Sequence, residues 1–176
     1  TCGIKIFVGA STGDLITASD EEIEAVISNG KRVIAVHAED QYIMDKNKKE
    51  ILGDSNDVSM HYIWRSPESC LSATTRVVEL AKKHKRRVHI LHITTSEEMD
   101  YLRQNKDYAS VEVLANHLSL YAPECYERLG TLAQQNPPIR EKHHHDALWR
   151  AVNDNTVDIL ASDHAPHTLD EKAQAY

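Results

Sequence analysis

A chain of 176 residues is long enough to bury a core, and 41% hydrophobic with 27% charged residues is ordinary for a globular protein. A formal net charge of −7 argues against non-specific binding to nucleic acid or to an anionic membrane. No apolar run approaches a membrane span, and the opening TCGIKIFVGAS shows no basic region followed by a long apolar stretch.

The punctuation predicts strands alternating with helices. Ile4 to Val8 is a short strand ended by Gly9, and Ser11 to Asp14 form a turn. Ser19 caps a helix over 20–28 with Ile23, Val26 and Ile27 on one face, and Asn29 and Gly30 stop it. Arg32 to His37 is a nearly continuous apolar strand, as in a parallel sheet buried on both faces. A long polar segment follows. Ser66 then caps a helix that opens on Pro67 and runs to about Lys83. Arg87 to Ile93 is a strand, Ser96 caps a helix to about Gln104, and Ser110 to Leu114 is a strand. After a long loop, 145–153 reads as a helix and 158–162 as a fifth strand. This alternation indicates a parallel α/β fold, either an open doubly wound sheet or a (β/α)8 barrel. The turn GASTGD is only loosely like a phosphate-binding loop and lacks its lysine, which disfavours the open nucleotide-binding sheet.

Three cysteines, Cys2, Cys70 and Cys125, form no CxxC pair, so neither a disulfide framework nor a structural zinc is expected and a reducing cytoplasm is the simplest home. The unusual count is histidine, at 11. His37 ends the second strand, His92 lies near the end of the third, and Asp163 follows the fifth. In parallel α/β folds the C-terminal strand ends gather into one site, so two imidazoles and a carboxylate are expected to converge as ligands for zinc or a similar ion. Each strand-end histidine has a structural alternative as a hydrogen-bonded residue. Lys5 sits inside an apolar strand, where a buried charge is costly. It either reaches water at an edge or loses its charge and reacts with carbon dioxide to give a carbamate ligand. In SDHAPH a capping role would explain Asp163 but not His164 and His167. The run His143, His144, His145 reads as a solvated helix start, and His84 and His89 flank the basic cluster KKHKRR at a solvated helix end. His61 has no assignment.

The motifs KIF, VHAED, LHITT, NPPIR and ASDHAPHTLDEK, in this order, closely resemble the amidohydrolase superfamily. NPPIR with DHAPHT is most similar to the dihydroorotases, whereas VHAED alone is also similar to hydantoinases and allantoinases. The resemblance runs the length of the chain. It implies that residues 1–176 are part of one amidohydrolase domain, a partial (β/α)8 TIM barrel holding about strands 4 to 8. It implies two divalent metal ions, zinc by preference, with Lys5 as the carboxylated bridging lysine and His37 and His92 on the second metal. Asp163 would bind the first metal and serve as general acid and base. Asn136 and His167 match positions that hold the pyrimidine ring and its carboxylate.

The implied activity is the reversible hydrolysis of dihydroorotate to carbamoyl aspartate in pyrimidine biosynthesis, by a homodimer or with aspartate transcarbamoylase as partner. The alternatives are a hydantoinase or allantoinase and a catalytically inactive scaffold. Some dihydroorotases use an aspartate in place of the lysine carbamate. Two departures stand out. Ala115, Asn116 and His117 replace an expected Pro-His-His, and no HxH pair lies upstream of Lys5. A full barrel takes about 250 residues, so the chain is expected to be part of a longer enzyme, inactive alone.

Overall fold

The computed structural model describes residues 2–9, 16–17 and 19–176, so the expected turn at Ser11 to Asp14 lies outside the described residues. The strands are β1 (Gly3–Val8), β2 (Val33–Ala38), β3 (Val88–Ile90), β4 (Ala109–Leu114) and β5 (Ile159–Ala161). All neighbouring pairs are parallel and the spatial order is the chain order, β1-β2-β3-β4-β5. A doubly wound sheet reverses its strand order at a switch point; a barrel adds each strand beside the last. Among the described residues there is no reversal, so the sheet is barrel-like.

Helix α1 (Asp20–Ser28) follows β1 and begins on a capping box: the Glu22 amide donates to Ser19 Oγ at 3.2 Å, and the Ser19 amide to Glu22 Oε2 at 3.2 Å. After β2 come α2 (Gln41–Asn47), a π-helical turn (Lys48–Leu52), a 3-10 turn (Val58–Met60), α3 (His61–Trp64) and α4 (Pro67–Lys83). Helix α5 (Ser96–Arg103) follows β3, then α6 (Ala115–Ser119), α7 (Glu124–Leu129) and α8 (Lys142–Asn153) follow β4, and α9 (Leu169–Lys172) follows β5.

The boundaries of α1 and α4 are those expected, with Ser19 and Ser66 as caps. Three expectations need correction. Thr95, not Ser96, caps α5, because its hydroxyl accepts from the Glu98 amide at 3.2 Å. Helix α8 starts at Lys142, so its histidines lie within the first turns, and His144 is buried rather than solvated, with Nδ1 accepting from the Ser96 amide at 3.1 Å. The stretches read as a polar segment and a long loop carry α2, α3, α6 and α7; such short helices hold by packing rather than by propensity.

The parallel register gives the sheet two unlike faces. Ile6, Val8, Ile34, Val36, Val88, Ile90, Val111 and Val113 are buried and form the main core with Ile23, Ile27, Val77, Val78, Met99, Leu102 and Leu148 from the helices. The helices pack in sequence on this face, α1 against α4, α4 against α5, and α5 against α8. Each fully buried aliphatic side chain contributes about 1.5–3 kcal/mol. The other face is polar: Lys5 pairs with Ala35, Phe7 with His37, Ala35 with His89, and His89 with Ser110, with Glu112 two positions on. In a closed barrel this second face is the interior. The outer strands of the described sheet leave Ile4, Ile159 and Leu160 exposed. A smaller apolar cluster, Ala122, Cys125, Tyr126, Ala133 and Ile139 with Val58 and Tyr62, joins the segments following β2 and β4. No helix among the described residues is long and apolar enough to cross a membrane.

Candidate active site

The polar face converges where β2 and β3 end. His37 lies in β2, and His92 follows β3 with a φ of 37°. Their rings meet edge to face, with His37 Nδ1 and His92 Nε2 3.0 Å apart, and both side chains are buried. Burial first, then the His37 and His117 imidazoles, holds the His92 pKa well below its ordinary value, so His92 is neutral with a lone pair to offer.

Left-handed backbone sharpens the picture. Among the described residues the non-glycine positions with positive φ are Lys85, His92, Asn155 and Asp163. Lys85 and Asn155 follow the C-caps of α4 and α8, where a left-handed residue is routine. His92 and Asp163 follow strands, where the same conformation is strain of the kind that collects at functional sites. A hydrogen bond from the His92 amide to Glu112 Oε1 at 3.3 Å supports this backbone, and Glu112 Oε2 meets His89 Nε2 at 3.2 Å.

His37 is held from its far side. Its Nε2 lies 2.9 Å from Glu39 Oε2. Arg65 grips the same carboxylate, from Nε to Oε1 at 3.2 Å and from Nη2 to Oε2, and all three side chains are buried. Burial alone would raise the Glu39 pKa, but the Arg65 charge and the His37 hydrogen bond outweigh it and hold the carboxyl far below the usual carboxylate range.

The remaining candidates are less gathered. Lys5 shares the polar face but is exposed, with Nζ 4.6 Å from the Phe7 ring centroid, and Phe7 in turn lies 5.9 Å from the His37 ring. Of the two alternatives for Lys5, its amine in the described sheet is open rather than enclosed. Asp163 and His167 are exposed beyond β5, His167 with Nδ1 3.7 Å from Glu171 Oε2. The cap of α9 is Thr168. The two imidazoles thus meet, while Asp163 is exposed beyond β5. Among the described residues no three His, Cys, Asp or Glu side chains are placed to hold a metal ion. The chemistry of the pair nonetheless fits part of a divalent site, since two imidazole nitrogens aimed at one point are zinc-type donors.

Asn136 lies apart from the pair, with its Oδ1 3.1 Å from His61 Nε2. It lines a cavity of about 350 Å³ with His61, Trp64, Arg65 and Tyr176, so Arg65 joins this cavity to the Glu39–His37 contact. His61, unassigned from sequence, is buried and donates to the Gln135 carbonyl at 2.9 Å. Arg140 of NPPIR is also buried, donating to the Tyr62 carbonyl at 2.9 Å, the Arg65 carbonyl and Thr94 Oγ1 at 3.3 Å. Asn116, whose role was open, donates to Gln135 Oε1 at 2.8 Å. His89 is corrected from a solvated helix end to the inner sheet face, with Nδ1 2.9 Å from Ser110 Oγ, whereas His84 pairs with Glu24 at 2.6 Å. Sequence reasoning missed Glu39, Arg65 and Glu112. The available signals were a glutamate two residues after the strand-end histidine and a glutamate inside an apolar strand.

Comparison with solved structures places the fold. The chain superposes on a D-hydantoinase with a TM-score of 0.85 at 24% identity, covering 94% of this chain and 38% of that one. An L-hydantoinase from Arthrobacter aurescens gives 0.86 at 24% identity, covering 97% and 40%. The structure thus has part of the TIM-barrel fold of these hydantoinases. Sequence comparison is more specific. The chain is 35% identical over 171 residues to the dihydroorotase of Pyrococcus furiosus, covering 96% of this chain and 36% of the relative. It is 34% identical over 182 residues to the dihydroorotase of Methanosarcina acetivorans, covering 96% and 38%. No family model matches the chain. The chain is a relative of the dihydroorotases and spans somewhat over a third of the length of those it matches.

Proposed function

We propose that the protein carrying this chain is a zinc-dependent cyclic amidohydrolase that interconverts dihydroorotate and carbamoyl aspartate. The observation that carries this reading is the meeting of His37 Nδ1 and His92 Nε2 at the C-terminal ends of adjacent parallel strands, in a chain whose curated relatives are named dihydroorotases. His37 and His92 would hold one divalent ion through these nitrogens, and Lys5, on the same sheet face, would reach it as a carbamate. Such an ion, when bound, supplies a water-derived nucleophile at neutral pH and polarises the amide oxygen. Asp163 accepts the proton released as water adds to the amide carbon, then returns it to the leaving amide nitrogen as the ring opens. Asn136 and His167 hold the ring and its carboxylate. The buried setting of His37 and His92 excludes bulk water from their lone pairs.

The test is turnover by the full-length protein with dihydroorotate, hydantoin and allantoin in parallel. The expected result is ring opening of dihydroorotate at the highest kcat/KM. Turnover of hydantoin or allantoin without dihydroorotate would keep the cyclic amidohydrolase and overturn the substrate; no turnover of any would favour a scaffold.

A further inference from the structure

We infer that Glu39, gripped by Arg65, is a positioning residue that sets the tautomer and orientation of His37 so that its Nδ1 lone pair faces His92. The inference deepens the metal-site reading and rests on it. Glu39 touches neither the facing nitrogens nor the Asn136 cavity; its reach is to His37 Nε2 alone on that side, at 2.9 Å.

The Glu39 amide donates to the Val8 carbonyl at 2.9 Å, and the next amide, of Asp40, to the Ser69 carbonyl at 2.9 Å. Asp40 then caps α2 through the Tyr42 and Ile43 amides. Gly9 packs so closely that a Cβ there would lie 2.2 Å from the Glu39 carbonyl oxygen. The glutamate backbone is therefore fixed between β1, α2 and α4.

The side chain is fixed as firmly. Arg65 donates to both carboxylate oxygens in the two-pronged geometry that matches a guanidinium to an ionised carboxylate. An ionised carboxylate only accepts, so the His37 nitrogen facing it must carry the proton. In a neutral imidazole the other nitrogen, Nδ1, then holds the lone pair, and it points at His92 Nε2. Without a cation the pair closes as a hydrogen bond from His92 Nε2–H to His37 Nδ1; to hold a cation, His92 would carry its proton on Nδ1 instead, so that both facing nitrogens present lone pairs. Arg65 also lines the cavity that contains Asn136, so one side chain borders both regions.

The test uses the full-length protein with Glu39→Gln, and with Glu98→Gln as a comparison, because Glu98 is another buried carboxylate, bound by Thr74 and Thr95, that does not touch His37. Zinc affinity is measured by competition with a chromogenic chelator, and the cobalt-substituted visible spectrum is recorded alongside thermal unfolding. Glu39→Gln is expected to weaken zinc binding about 10–100-fold and to change the cobalt spectrum, while Glu98→Gln changes neither. Equal loss of affinity in both variants, or a loss of thermal stability in Glu39→Gln with affinity and spectrum intact, would assign Glu39 a merely structural role. A further measurement needs no variant: imidazole nitrogen-15 shifts of the zinc-loaded protein should show His37 protonated at Nε2, and protonation at Nδ1 would overturn the inference. Zinc binding by the wild type that Glu39→Gln leaves unchanged defeats this inference alone; a wild type that binds no zinc defeats the metal-site reading as well.

Discussion

His37 and His92, from adjacent strands, meet with ring nitrogens 3.0 Å apart in a buried setting. On the proposed reading each supplies half of a shared ligand pair. Replacing either with alanine in the full-length protein should lower kcat/KM on dihydroorotate by more than the roughly 10–100-fold typical of losing an outer-shell partner. Steady-state kinetics checks this, and near wild-type rates in both variants would remove the pair from the site.

Gly9 has a φ of 77°, and an added Cβ would meet the Glu39 carbonyl oxygen at 2.2 Å and the Gln41 amide nitrogen at 2.9 Å. Both contacts are backbone, which cannot swing aside. Gly9→Ala should therefore destabilise the fold by about 3 kcal/mol or more. Urea unfolding reads this directly, and an unchanged midpoint would mean that β1 and the start of α2 are not so close.

Glu112 bridges the inner face, accepting from the His92 amide at 3.3 Å and facing His89 Nε2 at 3.2 Å. Glu112→Ala leaves both without that acceptor and should cost about 1–3 kcal/mol. Glu112→Gln, which keeps an acceptor oxygen, should cost less. Equal losses in the two variants would argue that the volume of the side chain matters and its hydrogen bonds do not.

Two buried histidines predict a pH dependence. Burial first, then the Arg65 charge, lowers His61 to about 4, and burial lowers His117 to about 4. Between these values and the ordinary 6.5, the unfolded chain binds protons that the folded chain refuses. Stability attributable to each is therefore whole above about pH 6.5 and is lost as pH falls toward about 4, on the order of 3 kcal/mol for a fully buried imidazole. The urea midpoint of the full-length protein should fall over that window, and His117→Gln should flatten the fall. A midpoint that rose on acidification would contradict the sign.

Much of the fold was legible because its signals are local. Ser19 and Ser66 cap where expected, and the β-branched runs before His37 and Leu114 are strands. Strand order was not local; the barrel was expected from the motif resemblance and from the lack of a phosphate-binding turn, and the unreversed parallel order of the strands bears it out. The helices after β2 and β4 were hidden because they are short and held by packing around Tyr62 and Tyr126. The histidine pair was readable from strand ends. Its supports were not, since Arg65 reaches Glu39 across 26 positions and Glu112 reaches His92 across 20, distances that no periodicity encodes.

The most direct measurement is dihydroorotate turnover by the full-length protein before chelation, after removal of metal, and after readdition of zinc. The account predicts activity that disappears with the metal and returns with zinc in the wild type, but fails to return in a His37→Ala, His92→Ala double variant that remains folded. Turnover indifferent to chelation, or fully restored in the double variant, would contradict it.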